Sequence, residues 1–341
     1  MMAGVTDETA IDEALLPPAL CVLGLGLIGG SLVRAATSRM PVLGWSPSEA
    51  TRAGATADGY RVFDEVGDAL TAAAESDALV VMAAPVTAFA ELLDAINDVA
   101  PEVRLTDVAG VKESVAEQVV LRAPHTRYVG SHPMAGTQHS GWAAGTADLF
   151  AGAAWVTCLD EDTPISDWAT IAALALALGS RVVPVEATAH DQAVARISHL
   201  PHLLALALAQ TGAAGGPLAL SLAAGSFGDG TRVAATRPDL IRAMCESNRD
   251  ALVTAVDDAL GILGVARGSL ASTGSLAKLT EAGHAGRVAF EQRGTDLRPT
   301  DLVGDDLVDE LLAVGSAGGH VSGIVRAPTG LRVRAWFPLD D

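Results

Sequence analysis

The chain has 341 residues, half of them hydrophobic and only 4% aromatic, with 22 basic and 41 acidic side chains for a formal charge of −19. That length can bury two aliphatic cores. The acidity argues against nucleic acid and anionic membranes as partners, but not against small anions that a local arginine can grip.

Residues 1–17 read as a disordered acidic arm without the basic and apolar regions of a signal peptide. Cys21, Cys158 and Cys245 are an odd, scattered set with no zinc spacing, which fits reduced core thiols of a cytoplasmic protein and no metal site. The short apolar run 19–25 has the character of a buried parallel strand. Gly24, Gly26 and Gly29 stand in G-x-G-x-x-G spacing at its end, with Leu27 and Ile28 between them, and a helical pattern follows. In a strand–turn–helix unit Gly24 makes the tight turn, Gly26 admits a pyrophosphate and Gly29 lets helix pack on strand. The helix N-terminus adds N–H groups and a positive dipole end.

A second strand is expected at 42–45, and the residues at its end bear on NAD against NADP. An acidic residue there binds the ribose 2′-OH and repels a 2′-phosphate. Here no carboxylate precedes Glu49, and Ser46, Ser48 and Arg52 are placed to receive a 2′-phosphate. The alternative is that the serines form a turn and a helix cap and Arg52 is a surface residue. The pattern leans to NADP, or to tolerance of both.

Further strands are expected at 60–63, 78–83, 103–108, 128–130, 155–159 and 181–185. Ala84 and Pro85 close the second of these as further cofactor contacts. Helical patterns at 86–99, 112–121 and 171–178 lie between them. This rhythm predicts an α/β fold, a doubly wound Rossmann-type domain over 18–186 with a mostly parallel sheet. Past 186 the patterns are helical only, at 191–210, 216–224, 238–245 and 249–267. They predict an all-helical domain over 187–292, which by fold-level analogy supplies substrate residues and an oligomer interface beside a dinucleotide fold, and whose Ala/Leu-rich helices expose enough apolar surface to pair as a homodimer. The tail 293–341 carries a short helical pattern at 306–314 and a hairpin signal, 321–325 and 331–336 about Ala327-Pro-Thr-Gly330.

Three segments carry chemistry. Gly130-Ser-His-Pro-Met-Ala-Gly-Thr137 follows a strand and so belongs at the carboxyl edge of the sheet, with His132 a candidate general base. His190-Asp191 precedes Ser198-His-Leu-Pro-His202, where Pro201 deprives the Ile197 carbonyl of its helical partner and predicts a kink. Ala224-Gly-Ser-Phe-Gly-Asp-Gly-Thr-Arg232 is glycine-rich, with a guanidinium at its end suited to a carboxylate.

In this order, Gly-Leu-Gly-Leu-Ile-Gly-Gly-Ser at 24–31, Thr106-Asp107, the 130–137 segment, Ser-His-Leu-Pro-His at 198–202 and Gly-Ser-Phe-x-Asp-x-Thr-Arg at 225–232 resemble the prephenate/arogenate dehydrogenases of tyrosine biosynthesis. The similarity runs from about Leu20 to Arg293. It implies NAD(P)-dependent oxidative decarboxylation of prephenate to 4-hydroxyphenylpyruvate, or of arogenate to tyrosine. It also implies roles: His132 as the catalytic histidine, His202 and Asp191 in substrate binding, Arg232 on a substrate carboxylate, and Thr137, Gln138 and Gly225 at the substrate site.

The chain departs from the pattern at Gly110, where many members carry serine, at Gln138, where some carry glutamate, and at Ile241, where some carry tryptophan. No carboxylate is evident for the ammonium of arogenate, which favours prephenate. Arogenate or dual cyclohexadienyl specificity is the alternative. A β-hydroxyacid dehydrogenase or imine reductase would depend on a lysine in the helical domain, where only Lys278 stands. A nucleotide sensor would have no reason to assemble His132, His202 and Arg232.

Overall fold

The computed structural model describes residues 10–137 and 139–338, and these fall into two compact units, one running to residue 188 and resuming at 296, the other spanning 189–295. The first unit opens with β1 (Leu20–Leu23), α1 (Leu27–Ala36), β2 (Val42–Trp45), α2 (Glu49–Ala57), β3 (Arg61–Phe63), α3 (Val66–Glu75), β4 (Leu79–Met82), α4 (Phe89–Val99), β5 (Arg104–Asp107), α5 (Glu113–Arg122) and β6 (Arg127–Tyr128). The strands form a parallel sheet in the order β3-β2-β1-β4-β5-β6, with strand order reversing beside β1. Strand periodicity divides its interior. Leu20, Val22, Leu79 and Val81 enter the core on one face, and Cys21, Leu23, Val80 and Met82 enter the core on the other. Burial pushes the Cys21 thiol up to about 12, so it stays protonated.

The next strands do not extend that sheet, contrary to the expectation of one continuous layer. A second sheet contains β7 (Ser131–Pro133), β8 (Ala154–Cys158) and β9 (Arg181–Val185), with α6 (Ile165–Ala177) crossing between β8 and β9. Only β8 and β9 are parallel; β7 runs antiparallel to β8, pairing His132 with Val156. Two residues separate β6 from β7, so the chain passes straight from one sheet into the other.

The second unit is helical: α7 (Ala187–Val194) leads into one π-helical turn (Ala195–His199), then α8 (Leu200–Ala214), α9 (Gly216–Ser221), α10 (Gly225–Thr231), α11 (Pro238–Ser247), α12 (Arg249–Ser272) and α13 (Ala277–Gln292). The wide turn ends just before Pro201, where the missing N–H requires a break in the ladder. The glycine-rich 225–231 stretch is helix α10. Its glycines serve close packing: a Cβ on Gly230 would lie 2.9 Å from Leu208 Cδ2, and one on Gly212 of α8 would lie 2.5 Å from the Phe227 ring. The second unit's own buried cluster is small, Ile241, Cys245 and Leu252, with Leu200, Leu203, Met244 and Val256 packed on it.

The chain then returns to the first unit as β10 (Leu297–Val303), α14 (Leu307–Ser316), β11 (His320–Ala327) and β12 (Gly330–Pro338). The hairpin is where its turn signal put it, but it is no separate tail: β11 pairs with β9 and extends the second sheet to β10-β12-β11-β9-β8-β7. Gly315 permits this docking, because a Cβ there would sit 1.7 Å from the Pro184 carbonyl oxygen.

The expected disordered arm is overturned for residues 10–17. Ile11 bridges Ile324, and the Asp12 carboxylate receives Arg326 Nε at 2.7 Å, which holds the Asp12 carboxyl below its usual range. No helix among the described residues is long and apolar enough to cross a membrane.

Candidate active site

The glycine turn occupies the carboxyl end of β1. A Cβ on Gly24, whose φ is +110°, would meet the backbone of Ala83 and Ala84 at 2.7 Å, and one on Gly29 would lie 1.8 Å from the Gly24 carbonyl oxygen. At Gly26 nothing lies within 4 Å of such a carbon, and Gly26 caps α1 with no side chain over the first N–H groups. Two glycines are therefore consumed by packing and the third leaves open approach to a helix N-terminus, which fits a dinucleotide pyrophosphate. The segment after β7 braces this helix: Thr146 N–H donates to Ser31 Oγ at 3.0 Å, and the Arg34 guanidinium lies 3.6 Å from the Trp142 ring centroid.

At the end of β2 the serines have local duties. Ser48 caps α2, accepting the Thr51 N–H at 3.3 Å, and Ser46 Oγ accepts the Ser48 N–H at 3.3 Å. Arg52 donates to the Ser46 carbonyl at 2.8 Å and to Asp64 Oδ1 at 3.3 Å, so its guanidinium is held at the strand end and is not a free surface group.

His132 lies in β7 rather than in a loop after a strand, a correction to the sequence reading. Its ring rests against the turn that follows β5: a Cβ on Gly110 would lie 3.6 Å from His132 Cε1 and 3.7 Å from Nε2, an ordinary contact distance. Because β1, β4 and β5 are neighbours in parallel, Gly24, Ala84-Pro85 and Gly110 all lie at one carboxyl edge, about 10 Å across from β1 to β5. Thr137 is exposed on the connection after β7, where its hydroxyl accepts the His139 N–H at 3.1 Å, while Gln138 lies outside the described residues.

Behind His132 is a buried polar group that sequence reasoning left without a role. Asp107 is 0% and Lys112 1% exposed, and they form an ion pair. Lysine occurs at only two positions in this chain, 112 and 278, so a lysine opening a helix five residues past a strand-end aspartate was a readable signal.

The helical unit has its own polar cluster. His190 donates from Nδ1 to Asp191 Oδ1 at 2.7 Å, and both are buried. Asn248 Nδ2 donates to the Asp191 carbonyl at 2.8 Å and lies 3.1 Å from His199 Nδ1. An amide nitrogen only donates, so His199 accepts at Nδ1 and carries its proton on Nε2. Burial drives its pKa down to about 4 against the opposing pull of Asp191, and it is neutral at pH 7.

His202 is half-buried and donates from Nδ1 to the Ser198 carbonyl at 2.8 Å, which directs Nε2 away from the helix backbone. Gly225 opens α10, and the turn after α10, beginning at Arg232, packs on α8, the helix of His202. Arg237 and Arg242 are paired with Asp239 and Glu246, whereas exposed Arg232 has no ion pair among the described residues. Asp191, His202 and Arg232 thus belong to one unit, and His132 with the glycine turn to the other.

Comparison with known proteins gives the following. Residues 30–184 match the family model for the prephenate dehydrogenase nucleotide-binding domain, and residues 186–264 match that for the prephenate dehydrogenase dimerization domain. The chain is 34% identical over 266 residues to a cyclohexadienyl dehydrogenase of Zymomonas mobilis, covering 74% of this chain and 88% of that protein. It is 29% identical over 248 residues to a prephenate dehydrogenase of Bacillus subtilis, covering 70% and 66%. Among solved structures, a Corynebacterium glutamicum protein described as a candidate prephenate dehydrogenase superposes with TM-score 0.83 at 41% identity, over 90% of this chain and 99% of that one. Synechocystis arogenate dehydrogenase gives 0.68 at 26% identity, over 80% and 99%.

Proposed function

Since this chain belongs to the prephenate dehydrogenase family and is an oxidoreductase, we propose that it oxidises prephenate to 4-hydroxyphenylpyruvate and carbon dioxide in tyrosine biosynthesis. The observation that carries this reading is an imidazole against Gly110 on the same sheet edge as an open glycine turn. Gly24, Gly26, Leu27, Ile28 and Gly29 would hold the pyrophosphate, with Ala84 and Pro85 beside it, and the nicotinamide supplies the hydride acceptor.

His132 takes the proton of the ring hydroxyl as hydride leaves the same carbon. Loss of the ring carboxylate as carbon dioxide then returns the C–C bonding pair to the ring. The aromatic oxygen so formed recovers its proton from His132, and no net proton is released. The chain's task is to orient the ring and hold one proton at one imidazole. Arg232, unpaired within its unit, grips a substrate carboxylate, with His202 on the helix its turn packs against and with Asp191 and Gly225 as further substrate residues of the helical unit, while Thr137 is a substrate residue of the α/β unit. Glycine at 110 leaves the His132 ring without a neighbouring hydroxyl at that position.

Either dinucleotide is accepted, since β2 ends without a carboxylate and with Arg52 held at the Ser46 carbonyl. The helical unit forms a homodimer. Leu222 and Val265 are 73% and 70% exposed, and an apolar trough of about 1020 Å³ runs between α12 and α13, lined by Ile262, Val265, Leu276 and Leu279.

Arogenate is the competing substrate, because a related solved structure is that of an arogenate dehydrogenase. Steady-state turnover with prephenate or arogenate and with NAD or NADP tests the reading. The expected result is a higher kcat/KM for prephenate with both cofactors; preference for arogenate would overturn the substrate assignment.

A further inference from the structure

We propose that the buried Asp107–Lys112 pair, with Tyr128, is a positioning device for His132; this rests on the reading of His132 as the proton acceptor. Lys112 Nζ donates to Asp107 Oδ1 and, at 2.6 Å, to the carbonyl oxygen of Ser131. That carbonyl belongs to the peptide group joining Ser131 to His132. Asp107 Oδ1 also accepts the Ala109 N–H at 2.7 Å, and Oδ2 accepts the Tyr128 hydroxyl at 2.7 Å. The Ser131 hydroxyl donates to the Asp107 carbonyl at 2.7 Å, and Thr106 Oγ1 donates to the Val129 carbonyl at 2.6 Å.

One carboxylate therefore fixes both surfaces that set the imidazole. Through Ala109 it holds the turn on which the ring rests at Gly110, and through Lys112 it holds the peptide from which the ring projects. Four segments meet there: the end of β5, the start of α5, β6 and β7.

Stability alone does not account for the pair. Removing two charges from water is costly, and apolar side chains of similar volume commonly serve a core as well or better. What an ammonium does that a methionine cannot is to clamp a backbone carbonyl and a carboxylate at once. Displacing a reacting group by about 1 Å lowers rate on the order of 100-fold. Asp107 and Lys112 are positioning residues in this account, acting through His132.

The test uses the full chain with Asp107→Asn and Lys112→Met combined, which avoids stranding one buried charge, made in both wild-type and His132→Asn backgrounds. In the wild-type background kcat should fall roughly 10- to 100-fold, with KM for prephenate and dinucleotide Kd changed less than about threefold. In the His132→Asn background the same pair should alter the residual rate less than about twofold, because its effect passes through the missing imidazole.

A wild-type background kcat within about twofold of the parent, or an equal loss in both backgrounds, would overturn the proposal. Full turnover by His132→Asn alone would instead remove His132 from the mechanism, a separable failure. If the double variant does not fold, Tyr128→Phe decides: a fall of about fivefold in kcat at steady KM supports the device, and unchanged kcat refutes it.

Discussion

The two units are built to opposite standards of self-sufficiency. The α/β unit covers both faces of its first sheet, and its interior includes large side chains such as Trp155, Trp168, Phe89 and Phe150 with almost no exposure. The helical unit seals little more than Ile241, Cys245 and Leu252 and leaves Leu218, Leu222, Ile262, Leu263 and Val265 in solvent. The first unit is finished as a single chain. The second leaves large apolar side chains outward, which is the feature on which the proposed homodimer rests. Polar groups are divided in the same way, with the buried Asp107–Lys112 pair next to His132 in the α/β unit and, in the helical one, Arg232 without an ion pair among the described residues.

The sharpest way to break this division is to cut each half of the chemistry. His132→Asn should lower kcat by about 1,000-fold or more while dinucleotide Kd, measured by titration, stays within about twofold. Arg232→Ala should act mainly on substrate, lowering kcat/KM for prephenate roughly 100-fold with cofactor affinity unchanged. A kcat/KM near wild type would detach that arginine from the substrate. For the exposed surface, Ile262→Asp with Val265→Asp should weaken self-association by about 100-fold, read by light scattering at micromolar concentration. A dimer that persists would move the interface elsewhere.

Acid should separate the units more gently. His199 titrates near 4 in the folded helical unit against 6.5 for an ordinary histidine, because it is buried. Between these values the unfolded chain binds more protons. The stabilisation is complete above about pH 6.5 and is lost as pH falls toward 4, roughly 2 kcal/mol by pH 5. His320, in β11 and stacked on Trp336, is also lowered to about 4, chiefly by burial, but it keeps some solvent exposure and should count for less. Hydrogen exchange at pH 7 and pH 5 should show protection lost first around α7, the π turn and α12. Equal loss in both units would contradict this.

The sequence was legible where one local rule decided the outcome. Gly24 and Gly29 sit where backbone approach excludes a side chain, Pro201 sits at a break in the helix, and the 320–338 hairpin formed around its turn residues. It was illegible where long-range pairing decided. Nothing local in Ser131-His-Pro133 says that it will join β8 in a second sheet, or that 297–303 will become an edge strand beside β12. The glycines of 225–231 free the backbone, and only the approach of Leu208 and Phe227 explains them as helix. Asp107 and Lys112 could be seen as odd residues in an apolar stretch, but the carbonyl that Lys112 grips and the Tyr128 hydroxyl that Asp107 accepts lie some 20 residues away. Gly110 could be flagged as a departure, yet its contact with the His132 ring depended on the crossover from β6 to β7.

The central claim is that one oxidation and one decarboxylation occur together on this scaffold. Incubating the wild-type protein with prephenate and oxidised dinucleotide, while following reduced nicotinamide by absorbance and carbon dioxide by trapping, tests it most directly. The account predicts both products in a one-to-one ratio, with 4-hydroxyphenylpyruvate as the organic product. Carbon dioxide without reduced nicotinamide, or no turnover with either dinucleotide, would contradict it.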